Sequence, residues 1–180
     1  MKKLLLVSAV AVALAACASS PRELPVQQGV DLQAYAGTWY EQARLPASFQ
    51  AQCAGDVRAE YVVRSDGGLD VTNQCRKADG TTKVATAEGR LARVGGQTDP
   101  ARLEVRFAPA WTSWLPMVWG DYWIIQIEGD YQYALVGTPD RKYLWVLSRD
   151  KEGDPATIDK LLARAETLGF ATDKVIRTEP

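Results

Sequence analysis

The chain has 180 residues, of which 47% are hydrophobic and 24% are charged, and its formal net charge is −1. This length suits one domain with a sizeable core, and the slightly acidic balance argues against nucleic acid as a partner. The sequence contains no histidine. Because histidine is the commonest general base and zinc ligand, we expect no metal site, no cofactor and no catalytic residues.

Residues 1–16 are predicted to be an export signal that is removed from the mature protein. Lys2 and Lys3 give a positive start, and an apolar run follows at 4–14. This run is too short to span a bilayer, so it is no part of the fold. Without the two lysines, the 21 basic residues become 19 against 22 acidic ones, and the mature chain remains mildly acidic.

Cys17 is the predicted lipidation site. The sequence Leu-Ala-Ala-Cys at 14–17 resembles a bacterial lipobox, whose cysteine becomes the acylated N-terminus; a chance cysteine is the alternative. The resemblance implies three acyl chains, palmitate among them, where stable anchoring needs two. Ala18 resembles the sorting residue of lipoproteins held on the periplasmic face of the outer membrane. We therefore expect an acylated, flexible tether over 17–30 and the folded domain over 31–180.

Cys53 and Cys75 remain once Cys17 is assigned to the anchor. An exported protein reaches an oxidising compartment, where a disulfide persists. A Cys53–Cys75 bridge is therefore predicted, with two free thiols as the alternative.

Alternating apolar and polar residues with turn residues between them predict eight strands. They cover 38–44, 57–65, 68–75, 82–93, 102–107, 121–128, 131–137 and 142–148. Their connections are short, which suits antiparallel neighbours. The expected fold is all-β: an eight-stranded antiparallel up-and-down β-barrel, the size that can hold one small ligand.

Helical signals flank the strands. Residues 31–36 predict a single helical turn. Asp154 is a candidate N-cap, Pro155 fits the first helical position, and Gly169 ends an amphipathic run. This C-terminal helix is predicted to pack outside the barrel, and 174–178 to add a short terminal strand.

Three separated motifs resemble the lipocalin family, and within it the branch of bacterial outer-membrane lipoproteins and apolipoprotein D. The motifs are Gly-Thr-Trp-Tyr-Glu at 37–41, Gly-Asp-Tyr-x-Tyr-Ala-Leu-Val at 129–136 and Tyr-Leu-Trp-Val-Leu-Ser-Arg at 143–149. The likeness covers residues 31–178. It implies a structural cluster of Gly37, Trp39, Asp130, Tyr131 and Arg149.

Alternating connections in such a barrel would bring Trp39, Asp130, Tyr131 and Arg149 to one end. There the Arg149 guanidinium is predicted to stack on the indole and donate to carbonyls, closing a floor. The same reasoning puts Cys53 and Cys75 at the opposite end, the mouth.

Strand parity predicts which side chains face the interior and contact a ligand. These are Tyr61, Val63, Val71, Asn73, Val105, Phe107, Trp123, Ile125, Trp145 and Leu147. Tyr61, Asn73 and Trp145 also resemble pocket residues of apolipoprotein D-like lipocalins. An apolar, aromatic lining suits an acyl chain; a dry core that fills the barrel is the alternative.

Glu41 shares the parity of Trp39. Inside the barrel it must be hydrogen-bonded, paired or protonated. Equally, it can lie near the floor, bonded to the backbone, with no ligand role.

Segment 108–119 combines three tryptophans with Leu, Met and Val in a mouth loop. Exposed apolar patches mark interaction sites, and Trp favours membrane interfaces. We therefore expect a rim that receives lipid from a bilayer, or that meets a second subunit in a homodimer. A lid folded over the pocket is the alternative.

The resemblance implies a lipid-anchored binding protein that carries fatty acids, lysophospholipids or similar hydrophobes for storage, transport or membrane maintenance. Its expected partners are a hydrophobic small molecule and, through the anchor, the membrane. An envelope scaffold or inhibitor with a filled barrel is one alternative. An enzyme acting on a bound hydrophobe is the other, and without histidine we expect no enzyme.

Overall fold

The computed structural model describes residues 23–179, so the predicted signal segment and Cys17 lie outside the described residues. Two α-helices, α1 (Leu32–Tyr35) and α2 (Pro155–Thr167), lie before and after the main strands. The strands are β1 (Gly37–Arg44), β2 (Cys53–Val63), β3 (Leu69–Lys77), β4 (Thr82–Val94), β5 (Gln97–Arg106), β6 (Gly120–Glu128), β7 (Tyr133–Gly137), β8 (Leu144–Ser148) and β9 (Ile176–Arg177). Short 3₁₀ turns occur at Ser48–Gln50, Ala110–Thr112, Pro116–Val118 and Thr172–Lys174.

Strands β1 to β8 form a closed barrel. Consecutive strands from β2 to β8 pair antiparallel, β8 pairs with β1, and β1 returns to β2. The closing register runs from Gly37 opposite Tyr61 to Tyr40 opposite Arg58. The expected eight-stranded antiparallel up-and-down barrel is confirmed. Within it each strand pairs with its neighbours along the chain, and the pairing of β1 with β8 closes the barrel.

Strand β9 covers a gap in the barrel wall. After Tyr40, β1 no longer pairs with β2, and its register with β8 shifts between Glu41 and Ala43. There β9 pairs with β1, and the backbone N–H of Asp56 on β2 donates to the carbonyl of Glu179 at 3.1 Å. The predicted terminal strand is present, and the C-terminal segment bridges β1 and β2 where they separate.

Helix α2 follows its sequence signals. The Asp154 carboxylate accepts from the backbone N–H of Thr157 at 2.9 Å, Pro155 is the first helical residue, and Gly169 follows the helix with φ +89°. Four apolar side chains of one face are buried: Ile158, Leu161, Leu162 and Ala165. They contribute to the core between the helix and the outer face of the barrel.

Residues 24–30, predicted from the sequence as part of the tether, pack on the barrel. Leu24, Val26 and Val30 are buried, and the backbone N–H of Gln27 donates to the carbonyl of Ile124 at 2.9 Å. The Gln27 side chain accepts from the backbone N–H of Ile127. The physical reason lies in β6, which pairs with β5 only as far as Trp123 and leaves its remaining edge open.

Strand β5 starts five residues before its predicted start at 102 and contains Pro100. The turn that precedes it is confined to Gly95-Gly96. Proline is tolerated here because β6 pairs with β5 only from Arg102 onward, so residue 100 lies on an edge.

Candidate ligand-binding cavity

One end of the barrel is closed by Arg149 and Trp39. The guanidinium carbon lies 3.9 Å from the centroid of the fully buried Trp39 ring. Gly37 has φ +93°, and a Cβ there would lie 3.3 Å from Nη1 of Arg149, so glycine serves both the backbone conformation and the close approach. The guanidinium donates four hydrogen bonds to the carbonyls of Thr38 (2.9 Å), Ala34 (2.8 Å), Tyr35 (3.2 Å) and Tyr131 (3.2 Å).

The turn between β6 and β7 completes this closed end. Asp130 and Tyr131 both have positive φ, 52° and 63°, which the turn after Gly129 requires. The Tyr131 hydroxyl accepts from the backbone N–H of Asp31 at 2.8 Å and so connects the turn to α1. The predicted meeting of Trp39, Tyr131 and Arg149 at one end is therefore found.

The disulfide lies at the opposite end, as predicted. Cys53 and Cys75 are bonded with an S–S distance of 2.02 Å and a Cα–Cα distance of 5.5 Å. The bond joins the first residues of β2 to the last residues of β3, beside the opening between the long connections. The alternative of two free thiols is excluded in this structure.

Between the two ends lies a cavity of about 770 Å³ that opens at the mouth. This volume is in the range of small-molecule sites, so the barrel is hollow and the alternative of an interior filled by side chains is wrong. Seven of the ten predicted ligand contacts line it: Tyr61, Val71, Asn73, Val105, Phe107, Trp145 and Leu147.

Trp123 and Ile125 do not line the cavity, because the inward face of β6 is the other one. Tyr122 lines the cavity instead. Trp123 pairs with Arg102 on β5, whose guanidinium lies 5.1 Å from the indole and is ion-paired with Glu23 on the outside. A Cβ at Gly137 would meet both Ile125 and Phe170, which lies in the segment after α2.

The inward face of β6 was mispredicted because both faces of this strand are buried. The outer face of β6 is also buried, under the segment after α2 and beside the N-terminal segment, so it too favours apolar side chains. An apolar alternation therefore could not show which face of β6 points inward.

Val63 is the third predicted ligand contact that lies outside the cavity lining. Its parity places it beside Leu69 in the core cluster, but it does not line the cavity. It lies one inward position beyond Tyr61, toward the closed end, where the ring of Tyr35 occupies the interior.

Several lining residues were not predicted. Phe49 and Tyr143 form an aromatic pair at the mouth with ring centroids 5.4 Å apart, and Tyr143 stacks on Trp145 at 6.0 Å. Phe49 lies in the connection between β1 and β2, where strand parity makes no prediction. Tyr143 shares the parity of Trp145 and Leu147 within the predicted strand 142–148 but was not among the predicted ligand contacts. At the deep end, Tyr122 was missed because of the parity error on β6.

Glu41 faces the interior and is hydrogen-bonded there. It lines the cavity, is 5% exposed, and accepts from the Thr178 hydroxyl at 2.6 Å and from the Gln50 side chain at 2.8 Å. Arg44 lies 3.4 Å away. Burial raises the pKa of this carboxyl, against the lowering effect of Thr178, Gln50 and Arg44. The alternative of a backbone-bonded carboxyl near the floor is wrong.

Gln50 connects the Glu41 carboxylate to Trp145 on the wall of the cavity. Its side-chain oxygen accepts from Nε1 of Trp145 at 3.0 Å, while its nitrogen donates to Glu41. The mouth connection, the wall of β8 and the C-terminal segment are thereby tied together around Glu41.

The loop between β5 and β6 divides into two parts. Trp111 and Trp114 are 76% and 74% exposed and point away from the cavity, whereas Met117, Val118 and Trp119 line it. The two ends of the loop, with Phe107 and Ala108 at its start, therefore form a wall of the cavity, and its middle does not.

Among residues 23–179, no group of three or more His, Cys, Asp or Glu side chains is placed to hold a metal ion. In the same residues, no helix has the length and apolar character needed to cross a bilayer.

Comparison with known proteins identifies the family. The model of the Lipocalin-like domain matches residues 30–180. The chain belongs to the lipocalin family. This lipocalin is 35% identical over 180 residues to the outer membrane lipoprotein Blc of Escherichia coli K12, covering 98% of this chain and 96% of that protein.

Two further relatives show how widely the family extends. Temperature-induced lipocalin-1 of Arabidopsis thaliana is 35% identical over 158 residues, covering 87% of this lipocalin and 83% of the relative. The solved structure of insecticyanin from the tobacco hornworm Manduca sexta superposes with a TM-score of 0.66 at 25% identity, covering 89% of this chain and 85% of that one. The expected family and barrel are confirmed.

Proposed function

We propose that this lipocalin binds and carries lipids in the bacterial envelope, with fatty acids, lysophospholipids or similar hydrophobes as ligands. The observation that carries the proposal is the cavity of about 770 Å³, lined largely by apolar and aromatic side chains and open at one end. Storage, transport or membrane maintenance would each use such a cavity. The proposal includes no catalytic step, because binding alone accounts for the arrangement of the lining.

The proposed location is the periplasmic face of the outer membrane, with Cys17 as the lipidated residue. Two observations support it: the lipobox-like sequence at 14–17 and the similarity to relatives named outer membrane lipoprotein Blc. Metabolic labelling with an alkyne-bearing palmitate should label the wild-type protein and not Cys17→Ser. Equal labelling of both would contradict the anchor and leave the cavity proposal standing.

The exposed tryptophans of the β5–β6 loop fit this location. We propose that Trp111 and Trp114 form a rim that contacts the bilayer from which lipid enters the mouth. Their exposure favours the rim over a lid, since a lid would cover the cavity with these rings. A second subunit on the same rim is an outcome that the test below can detect.

Ligand binding is tested by fluorescence. Titration with a fluorescent fatty acid should quench tryptophan emission saturably. Trp145→Phe and Trp119→Phe should each reduce the signal, because both tryptophans line the cavity. Trp123→Phe is the matched control, since that indole faces outward and its loss should leave the ligand-dependent quenching largely unchanged. An absence of saturable quenching in the wild-type protein would contradict the proposal.

A further inference from the structure

Three tyrosine hydroxyls meet at the deep end of the cavity. The Tyr122 hydroxyl lies 2.7 Å from that of Tyr35 and 2.8 Å from that of Tyr61. All three residues are buried, and they come from three different elements: α1, β2 and β6. Because separate elements hold them, their mutual positions are fixed by the whole barrel.

The hydrogen bonds of this cluster leave one proton unused. Three neutral phenols carry three protons, and two bonds join them, so one proton has no acceptor within the cluster. Within residues 23–179, the only hydrogen-bonding partners of these hydroxyls are one another. Buried polar groups normally have a partner, which points to a group that enters the cavity.

The hydroxyl of Tyr61 or Tyr122 can donate this proton to a group in the cavity. Both line the cavity, whereas Tyr35 lies beneath them against Trp39, with ring centroids 5.0 Å apart. If Tyr35 held the unused proton, it would be buried without an acceptor, which is costly. Burial also raises the pKa of Tyr61 to about 12, so the phenol stays a donor at neutral pH.

A second polar group lies on the same wall. Asn73 is the next inward residue after Val71, which pairs directly with Tyr61, and is therefore one step nearer the mouth. Its Oδ1 is enclosed and has no hydrogen-bonding partner in the described part of the chain. The amide thus offers further hydrogen bonding beside the phenols.

No cationic side chain lines this deep end: Arg149 lies beyond Trp39, and its guanidinium donates to backbone carbonyls. Of the described residues that line the cavity, only Arg58 and Lys83 are cationic, and Lys83 donates to the carbonyl of Phe49 at the mouth. An ionised carboxylate or phosphate would lose its hydration at the phenols without gaining a counter-charge. A neutral oxygen does not bear that cost.

We propose that the deep end is a subsite for a neutral oxygen of the ligand, an alcohol, ketone or protonated acid, which accepts the unused proton of Tyr61 or Tyr122. Such ligands enter polar end first, whereas ligands with charged headgroups leave them at the mouth. The proposal rests on the proposed lipid-binding function and adds the class of polar group that the cavity selects.

The test compares 1-nonanol with n-decane, which have the same number of non-hydrogen atoms, by displacement of the neutral fluorescent probe N-phenyl-1-naphthylamine. The ratio of their affinities should fall about three- to tenfold in the double variant Tyr61→Phe/Tyr122→Phe, since a neutral hydrogen bond is lost. Tyr40→Phe is the matched control, because it removes a tyrosine hydroxyl from a residue of β1 that does not line the cavity. Its ratio should equal that of the wild type.

The outcomes separate the two proposals. An unchanged ratio in the double variant overturns the deep subsite while leaving lipid binding intact. If neither 1-nonanol nor n-decane displaces the probe from the wild-type protein, both proposals fail. If the double variant does not bind n-decane, the single variants Tyr61→Phe and Tyr122→Phe replace it; a ratio lowered about twofold in at least one supports the subsite, and unchanged ratios in both overturn it.

Discussion

Arg149 closes the barrel because its flat guanidinium makes two kinds of contact at once. One face covers Trp39, and the edge donates to four backbone carbonyls from α1, β1 and the β6–β7 turn. Lysine keeps the charge but lacks both the planar face and the five fixed donors. The residue therefore acts through geometry more than through net charge.

We predict that Arg149→Lys lowers the free energy of unfolding by about 2–3 kcal/mol, because several enclosed carbonyls lose their donors. Urea unfolding followed by tryptophan emission measures the change. Arg93→Lys, on the exposed end of β4, is the control and should change stability by less than about 0.5 kcal/mol. Equal stability of the two variants would contradict the structural role.

Glu41 is the second residue whose chemistry depends on its surroundings. Burial is the largest influence and raises its pKa above the ordinary value of 4.5. The folded protein therefore holds this proton more tightly than the unfolded chain. The resulting stabilisation is present below pH 4.5 and is lost as the pH rises through the folded-state pKa.

Glu41→Gln is accordingly predicted to remove a pH-dependent part of the stability. The melting temperature of the wild type relative to the variant should fall as the pH is raised from about 4.5 to about 7. Glu166→Gln, exposed on α2, should give a flat difference. A difference that grows with pH would mean that Arg44, Gln50 and Thr178 outweigh burial.

At the scale of elements, the mouth end of β2 is poorly paired with both of its neighbouring strands. Strand β1 leaves β2 after Tyr40, and β2 has irregular register with β3 between Cys53 and Arg58. The disulfide and the C-terminal segment at Glu179 both act there. They hold in place a strand end that the ladder alone pairs poorly.

Removing the bridge with Cys53→Ala/Cys75→Ala should lower the free energy of unfolding by about 3 kcal/mol, since the closed loop spans 22 residues. Urea unfolding measures the loss, and reduction of the wild-type protein should reproduce it. Wild-type protein whose stability does not respond to reductant would contradict the prediction. Alkylation and mass measurement would confirm the redox state of each sample.

Elements also differ in how well their sequence predicts them. Helix α2 was predicted with its cap because Asp154 and Pro155 act on its first turn and Gly169 on its last, each within a few residues of its own position. The packing of 24–30 was missed because it depends on the open edge of β6, about a hundred residues away. Leu24 and Val26 lie two residues apart between Glu23 and Gln27, a spacing that is compatible with an extended segment buried on one face.

At the scale of the whole molecule, the two ends of the barrel have different surfaces. The closed end buries Trp39 under Arg149, while the mouth exposes Trp111, Trp114 and Met117 around the cavity. An apolar rim around the opening suits contact with a lipid surface, because tryptophan favours the interface between water and acyl chains. The cavity and its route of loading would then share one end.

We predict that Trp111→Ser/Trp114→Ser reduces ligand uptake from phosphatidylglycerol–phosphatidylethanolamine vesicles several-fold and leaves binding of dispersed ligand unchanged. Stopped-flow transfer of a fluorescent fatty acid measures the first, and equilibrium titration the second. Val94→Ser, an exposed apolar residue at the closed end, is the control. Equal loss in both assays would indicate a lid, and a concentration-dependent change in molar mass would indicate a second subunit.

Local pattern determined the number of barrel strands and helix α2, because turns, caps and alternation act over a few residues and short connections restrict the topology. The closed end followed from the alternating connections together with the family resemblance, and the disulfide from the assignment of Cys17 to the anchor. Seven of the ten ligand contacts predicted by strand parity line the cavity. Tertiary structure decided the rest: the inward face of β6, the burial of 24–30, the tie between Glu41 and Thr178, and the meeting of Tyr35, Tyr61 and Tyr122. These depend on which surfaces cover each other across the barrel, and burial on either face of a strand favours the same apolar residues.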